Sequence, residues 1–562
     1  MDKNQQSSSQ KKSLLQIVTY VLIIVGILFN LLFIVPNGDY SCTNVVCGLG
    51  IGEWHYHDAL WHIAVARNSF QSIPFTFPSA VGFPLTSYNY LLAAMLHILE
   101  LFFINPFFAY FKLLPVVGNI ALVYSLFRYF RVTQKSEWEK FWISFFLYFG
   151  SSFSFLLIFY RNNFAEFSVL KGFPVVATLQ PAFVLSNIQF FLTLPILLYV
   201  FTDLFVKKRS KYDLLVHSVL LALAIGLKIY SGIFVFLLLV LGTCLRNYPQ
   251  RHLGTILKEL FVYSLTSAAA IFVFFLPFGA KTSDLPFLWF PLAIPHAITE
   301  SPGLFYHKEF TLGRYFMYGL QKVSPRLIVY ELISIGLFLL WNLGSRVIVF
   351  VGITYSLLAR KLHLEKTALF MLGIVGLLVP VFFIQRGGGW YNTIQFAYVG
   401  IYFLGILAGI YVAAMWTNRR TLLRLLVIAI VLTTLPNNIL MFGLLAKEKI
   451  VINKHEIDAL SHLREQPPGV VLSFPDDKNS SYVPALSGKT GYLIDYEQAA
   501  LLGLPIDPMI QKVESGNCEI LAEVDYVYFA PNTKGASFKK CPSFTKSFRQ
   551  IFRNEGVELY RR

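Results

Sequence analysis

Charge is what this sequence has least of. Asp, Glu, Lys and Arg make up 14% of its 562 residues, where a soluble domain carries about a quarter. That shortage excludes a water-soluble globular chain, and a hydrophobic content of 56% points to a polytopic membrane protein. Acidic residues are scarcer than basic ones, 31 against 47. In a soluble protein the resulting net charge of +16 would suggest nucleic acid. No basic stretch here is interleaved with aromatics on a soluble face, so the excess is read as Lys and Arg at cytoplasmic helix ends, beside anionic headgroups. Cysteine is also rare. There are five, none in the CxxC spacing of a zinc site. No internal repeat is visible, nor an inverted one with broken helices in matching halves, which weighs against a secondary transporter. The Lys and Ser/Thr of a P-loop are missing, and no nucleotide cofactor is expected.

What is abundant is aromatic: 54 Phe and 30 Tyr, suited to lipid-facing helices and interfacial belts. Leu14–Val35 runs for 22 apolar or small residues. That is longer than a signal-peptide core, and it reads as an uncleaved first span with its N-terminus in the cytoplasm. Counting Lys and Arg on alternate sides gives about eleven spans. The fold class expected is an α-helical polytopic membrane domain over residues 1–445 with a small extracytoplasmic α/β domain over 446–562. The first outer loop covers 36–106, and its apolar stretch Tyr88–Ile104 is expected to lie in the outer interface. Asp213–Tyr230 and Ser231–Leu245 read as a short hairpin with Lys228 at its outer tip. Leu327–Leu343 is expected to be interfacial or re-entrant. Beyond Ala446 the apolar runs shorten to strand length, at Gly469–Phe474, Val524–Phe529 and Val557–Tyr560, with a helix at His455–Glu465. Four cysteines fall in two outer-side pairs, Cys42 with Cys47 and Cys518 with Cys541. Each pair is either a disulfide or two buried thiols. Cys244 lies at the inner end of a span.

The densest chemistry lies just after the first span. Glu53 to His62 holds two carboxylates and three histidines in ten residues. Beside a membrane such a cluster must be solvated, paired or used. Asp58 and His62 are spaced to share one helix face. Asp58 is the first candidate for a general base, Glu53 the second, and His62 would orient Asp58 or share a divalent metal with it. The structural alternative is that Asp58 caps a helix over Ala59–Phe70. His55 and His57 read as packing residues. Glu166, in a second outer loop, either joins the site or is solvated. Among cations, Arg386 precedes Gly387–Gly389, a loop that lets backbone amides approach a phosphate. Lys228 either serves the same anion or snorkels to the interface. Lys112 stays open in the same way, and His296, His307 and Arg314 carry a weak signal for a ligand.

An N-terminal helix, an outer loop with an acidic motif, apolar spans and an outer terminal domain together resemble the GT-C glycosyltransferase superfamily. The nearest likeness is to YfhO-like and related uncharacterised membrane proteins of bacteria and archaea. His57-Asp58-Ala59-Leu60-Trp61-His62 stands where that family has its acidic first-loop motif. Trp390-Tyr391-Asn392-Thr393-Ile394-Gln395-Phe396 resembles its polar motif opening a late helix, and Val483–Lys489 resembles a recurrent phrase of its terminal domain. The chain has one acidic residue at the motif where adjacent ones are common, which leaves metal dependence open. The resemblance implies transfer of a sugar from a polyprenyl-phosphate-linked donor in the cell membrane to an extracytoplasmic acceptor. Asp58 would be the base, and Arg386, Lys228, Glu166, Trp390, Tyr391 and Asn392 would contact substrate. The alternatives are a lipid or polysaccharide transporter or flippase, and a non-catalytic scaffold that binds polyprenyl phosphate.

Overall fold

The computed structural model describes residues 3–42, 46–85, 88–156, 187–206, 212–247, 253–274, 287–300, 306–321, 323–385, 390–447, 449–474, 480–530 and 534–562. Among them seven helical stretches are long and apolar enough to cross a membrane: Leu14–Ile34, Pro106–Val132, Leu253–Phe274, Pro325–Leu358, Leu364–Phe382, Ile394–Thr417 and Thr421–Ile439. Four shorter apolar helices, Leu91–Leu101, Ile188–Asp203, Asp213–Leu227 and Ile229–Leu245, accompany them. The expected eleven spans are therefore not met among the described residues. At 1.5 Å per residue the short helices reach roughly 16–26 Å, less than the ~30 Å hydrocarbon layer.

Within the stretch Tyr88–Ile104, expected to lie in the outer interface, Leu91–Leu101 is a helix. Leu327–Leu343 lies in the helix Pro325–Leu343, which continues through a turn at Gly344–Val347 into Ile348–Leu358 as one long apolar stretch. The hairpin expected around Lys228 is present, with Lys228 alone between helices Asp213–Leu227 and Ile229–Asn247.

Ile394–Thr417 is the axis of the bundle, buried over its whole apolar window. It lies against Leu364–Phe382 so closely that a Cβ on Gly400 would fall 2.7 Å from the Gly373 carbonyl oxygen. Small residues at such crossings let helix backbones meet where lipid offers no hydrophobic drive.

Outside the bundle, the first loop and the terminal segment are stitched together. Asp39–Cys42 pairs antiparallel with Cys47–Gly52, which pairs antiparallel with Lys449–Asn453. Gly48 has to be glycine here, because a Cβ would sit 1.8 Å from the Ile452 carbonyl oxygen. Lys454–Glu465 follows, closed by a capping box of Asn453 and Glu456, which satisfies its free amides. The terminal sheet orders Thr490–Gly491, Val470–Ser473, Tyr526–Phe529, Val557–Arg561 and Arg549–Asn554. Val470–Ser473 is parallel to both neighbours, and the remaining pairings are antiparallel. The three strands and the helix expected here are all found. Loop residues 78–81 then bond the terminal domain: Gly491 N–H to Pro78 at 2.8 Å, Ile494 N–H to Ser79 at 2.9 Å, and Val81 N–H to Tyr492 at 3.1 Å. Both outer cysteine pairs are disulfides, Cys42–Cys47 and Cys518–Cys541, and Cys244 is free.

Candidate active site

The first outer helix runs from Glu53 to Asn68, with Gly52 as its N-cap in extended backbone. Asp58 therefore does not cap it. It stands in the second turn, one turn before His62 on the same face. Tyr56, Ala59, Leu60, Trp61, Ile63 and Ala64 around it are all buried, while the Asp58 side chain is 58% exposed. Protein is nonetheless dense enough around it that dehydration is the largest single influence on its carboxyl. A side chain reached by solvent yet surrounded by protein lines a recess rather than a convex surface.

Charge decides the state of this recess. His57 Nε2 lies 3.2 Å from Asp495 Oδ1, and His57 Nδ1 lies 4.0 Å from Asp58 Oδ1. Burial alone would push the imidazole's pKa down, but Asp495 and Asp58 push it further up, leaving it well above the usual histidine value. His57 is thus an imidazolium between two carboxylates. Burial would likewise raise Asp58; His57, Lys228 and His62 outweigh it and hold Asp58 down at about 2. Asp58 is an anion at every physiological pH.

His62 behaves differently. Burial, with the positive charges of Lys228 and His57, outweighs the pull of Asp58 and lowers it to about 4, so its ring is neutral. That ring lies 3.2 Å from the Tyr88 hydroxyl and stacks on Tyr110 with centroids 6.1 Å apart. Its hydrogen bond is to Tyr88, and Asp58 acts on it through charge. His55 is buried, 3.2 Å from the Phe33 carbonyl oxygen, and burial holds it at about 4. It is the packing residue expected, and His57 is not.

Lys228 comes to the same place from the hairpin tip. Its ammonium donates to Gln189 Oε1 at 3.3 Å, and its charge is felt at both Asp58 and His62. Two residues on, the Tyr230 hydroxyl donates to Gln385 Oε1 at 3.0 Å. Gln385 ends the strand Phe383–Gln385, immediately before Arg386. Arg386 and Glu166 themselves lie outside the described residues. Glu53 opens the helix, but its side chain is not among those described. Nor are the side chains of Trp390 and Tyr391; with Asn392 they form the turn Trp390–Thr393 that leads into the axial helix. Of the weaker candidates, Lys112 pairs with Asp39 at 2.6 Å, His296 with Glu331 at 2.5 Å and Arg314 with Glu300 at 2.7 Å. These side chains already have partners outside the recess. The His307 backbone caps the helix Lys308–Gly319.

Among the described residues no three His, Cys, Asp or Glu side chains gather to hold a metal ion, and no step below runs through one. What sequence reasoning missed is Asp495. It stands 438 positions from His57, in a turn whose only local signal is that of a helix cap.

No family model matches the chain, and no curated protein does. Solved structures resemble it at low identity. The oligosaccharyltransferase of Archaeoglobus fulgidus, tethered to an acceptor peptide, is 13% identical, with a TM-score of 0.47 over 91% of this chain and 68% of that one. The same organism's enzyme AglB, with an inhibitory peptide and a dolichol phosphate, is 12% identical, with a TM-score of 0.45 over 91% and 69%. The apo form is 10% identical at 0.47 over the same shares.

Proposed function

We propose that this chain is an integral-membrane glycosyltransferase of the GT-C type. It moves a sugar from a polyprenyl-phosphate donor to an acceptor on the outer side of the cell membrane. One observation carries the reading: an accessible, permanently ionised carboxylate, Asp58, and a cation, Lys228, share one recess beside the bundle. Breaking a sugar–phosphate bond builds positive charge on the sugar ring and negative charge on the departing phosphate. A fixed anion and a fixed cation in a partly dry recess oppose both.

The acceptor's nucleophilic atom attacks the anomeric carbon, that carbon's bond to phosphate oxygen breaks, and polyprenyl phosphate leaves. The acceptor's proton becomes acidic as the new bond forms, and Asp58 takes it then. Lys228 faces the leaving phosphate. Arg386, one residue beyond the Gln385 that Tyr230 holds, is placed by this proposal on the same phosphate. Glu53, Glu166, Trp390, Tyr391 and Asn392 are its further candidates for substrate contact. The two disulfides fit an oxidising, extracytoplasmic setting for the loop and terminal domain.

The test uses membranes containing the full chain and labelled polyprenyl-phosphate sugars. Asp58→Asn keeps the side chain's size at a half-open position, so folding should survive. Transfer should fall by about 100-fold or more, the scale of a lost acid–base group. Undiminished transfer sinks the proposal.

A further inference from the structure

The terminal domain reaches the recess through one side chain. Asp495 has no exposed side-chain surface, and two groups fix it besides His57. Its Oδ2 accepts from the Ser481 hydroxyl at 2.7 Å, and its Oδ1 accepts from the Gln498 N–H at 2.9 Å. Ser481 is in turn 2.8 Å, hydroxyl to hydroxyl, from Ser79 of the first outer loop. A carboxylate this deeply buried is tolerated only when its charge is matched. The cation that matches it here is His57, at 3.2 Å. The other nitrogen of His57 faces Asp58.

We propose that Asp495 is a positioning residue for sugar transfer: by gripping His57 it fixes the Asp58 carboxylate, so the terminal domain completes the site. The inference rests on the role given to Asp58 above. It assigns the terminal domain a part in the chemistry that shaping an acceptor groove does not require. The geometry favours this over a purely structural role. A cap for the helix Tyr496–Leu501 needs only the Gln498 N–H bond, and an Asn would supply it. The negative charge is needed only by His57. The charged and titratable neighbours of His57 are Asp495 from the terminal domain, with Asp58 and His62 on its own helix; Lys228 from the hairpin tip acts on it through Asp58. Of the two acids only Asp495 is buried, and it is anchored from outside the helix.

Two measurements on the full-length protein test it. Nitrogen-15 histidine spectra, with the His57 resonance identified by its loss in His57→Asn, report the grip without any transfer. In Asp495→Asn the imidazolium signature of His57 at pH 8 should disappear; its persistence overturns the proposal. Kinetics with the labelled donor report the consequence. The kcat of Asp495→Asn should fall about tenfold or more, with the donor KM within twofold of wild type. Adding His57→Asn should lower it little further, because both act along one line. Inactive Asp58→Asn beside fully active Asp495→Asn overturns this inference alone. Active Asp58→Asn overturns the underlying function as well. Should Asp495→Asn fail to fold, Ser481→Ala, which loosens only one anchor of Asp495, should lower kcat about threefold, and an unchanged kcat overturns the inference.

Discussion

Arg67 offers the sharpest test of how the terminal domain is held over the site. Its side chain is 6% exposed, with Nε 3.0 Å from Glu100 Oε1 and Nη1 2.5 Å from the Ala485 carbonyl oxygen. It thus ties the helix Glu53–Asn68 to the helix Leu91–Leu101 and to the terminal domain. Arg464, half exposed, reaches the same Glu100 oxygen at 2.6 Å. Arg67→Met keeps length and removes charge. The Ala485 carbonyl then loses a buried donor, which costs about 1–3 kcal/mol. Glu100 keeps Arg464, so it escapes the 3–5 kcal/mol typical of a stranded buried charge; about 1 kcal/mol is a fair share. A total near 3 kcal/mol corresponds to roughly 100-fold more frequent opening of the joint. Native-state hydrogen exchange reads this directly at the Val81, Gly491 and Ile494 amides, which cross the joint. The Asp525 amide, bonded to Val470 within the domain, serves as control. Arg464→Ala removes an exposed partner worth at most about 1 kcal/mol, hence less than about fivefold. The reasoning is refuted if the three joint amides in Arg67→Met exchange within threefold of wild type, or if Arg464→Ala matches it.

Three further outcomes are expected. The pKa of His57 is raised on folding, so its stabilising charge is fully present below about pH 6.5 and fades as pH climbs through the raised value. The joint amides, corrected for intrinsic exchange, should open more readily toward pH 9 in wild type, and His57→Asn should remove that trend. Lys228→Met should raise the donor KM more than the acceptor KM; equal effects on both would place Lys228 away from the phosphate. Gly400→Ala puts a methyl 2.7 Å from the Gly373 carbonyl, an overpacking worth about 1–3 kcal/mol. It should lower the melting temperature in detergent, and an unchanged melt would mean the helices part freely.

Much of the scaffold was readable because it follows local pattern. Ile394–Thr417 is a long uncharged run, Leu364–Phe382 a long one charged only at Glu365 and Lys366, and Val470–Ser473 and Tyr526–Phe529 are short apolar ones between turns. The cysteine pairs needed only compartment and proximity in sequence. The count of eleven spans is not matched among the described residues, where Ile188–Asp203 is a shorter apolar helical stretch buried almost throughout. Asp58 was put forward from its cluster of acids and histidines and its one-turn spacing to His62. Its partner was not, since nothing local to Asp495 distinguishes a cap from a counter-ion. His57 was set aside as packing for the same reason: a histidine's role depends on which charges tertiary closure brings to it.

On the function proposed above, closure also bears on how a carboxylate held near 2 would serve as a base. Asp495, His57, Asp58 and Lys228 alternate in sign, and both cations lower the proton affinity of Asp58. A donor phosphate seated on Lys228 would cancel that cation's pull on Asp58. Asp58 would then bind a proton more readily in the donor complex than in the free enzyme, becoming a better base only once there is something to transfer. The two pH profiles separate these states. The profile of kcat/KM reports free protein, where Asp58 sits at about 2; it should show no acid limb above about pH 4. The profile of kcat reports the complex, where the acid limb should stand higher, and Lys228→Met should bring the two limbs together by removing the cation that separates them. Coincident limbs in wild type would mean that the phosphate is not bound at Lys228, and that the cation's influence on Asp58 plays no part in turnover.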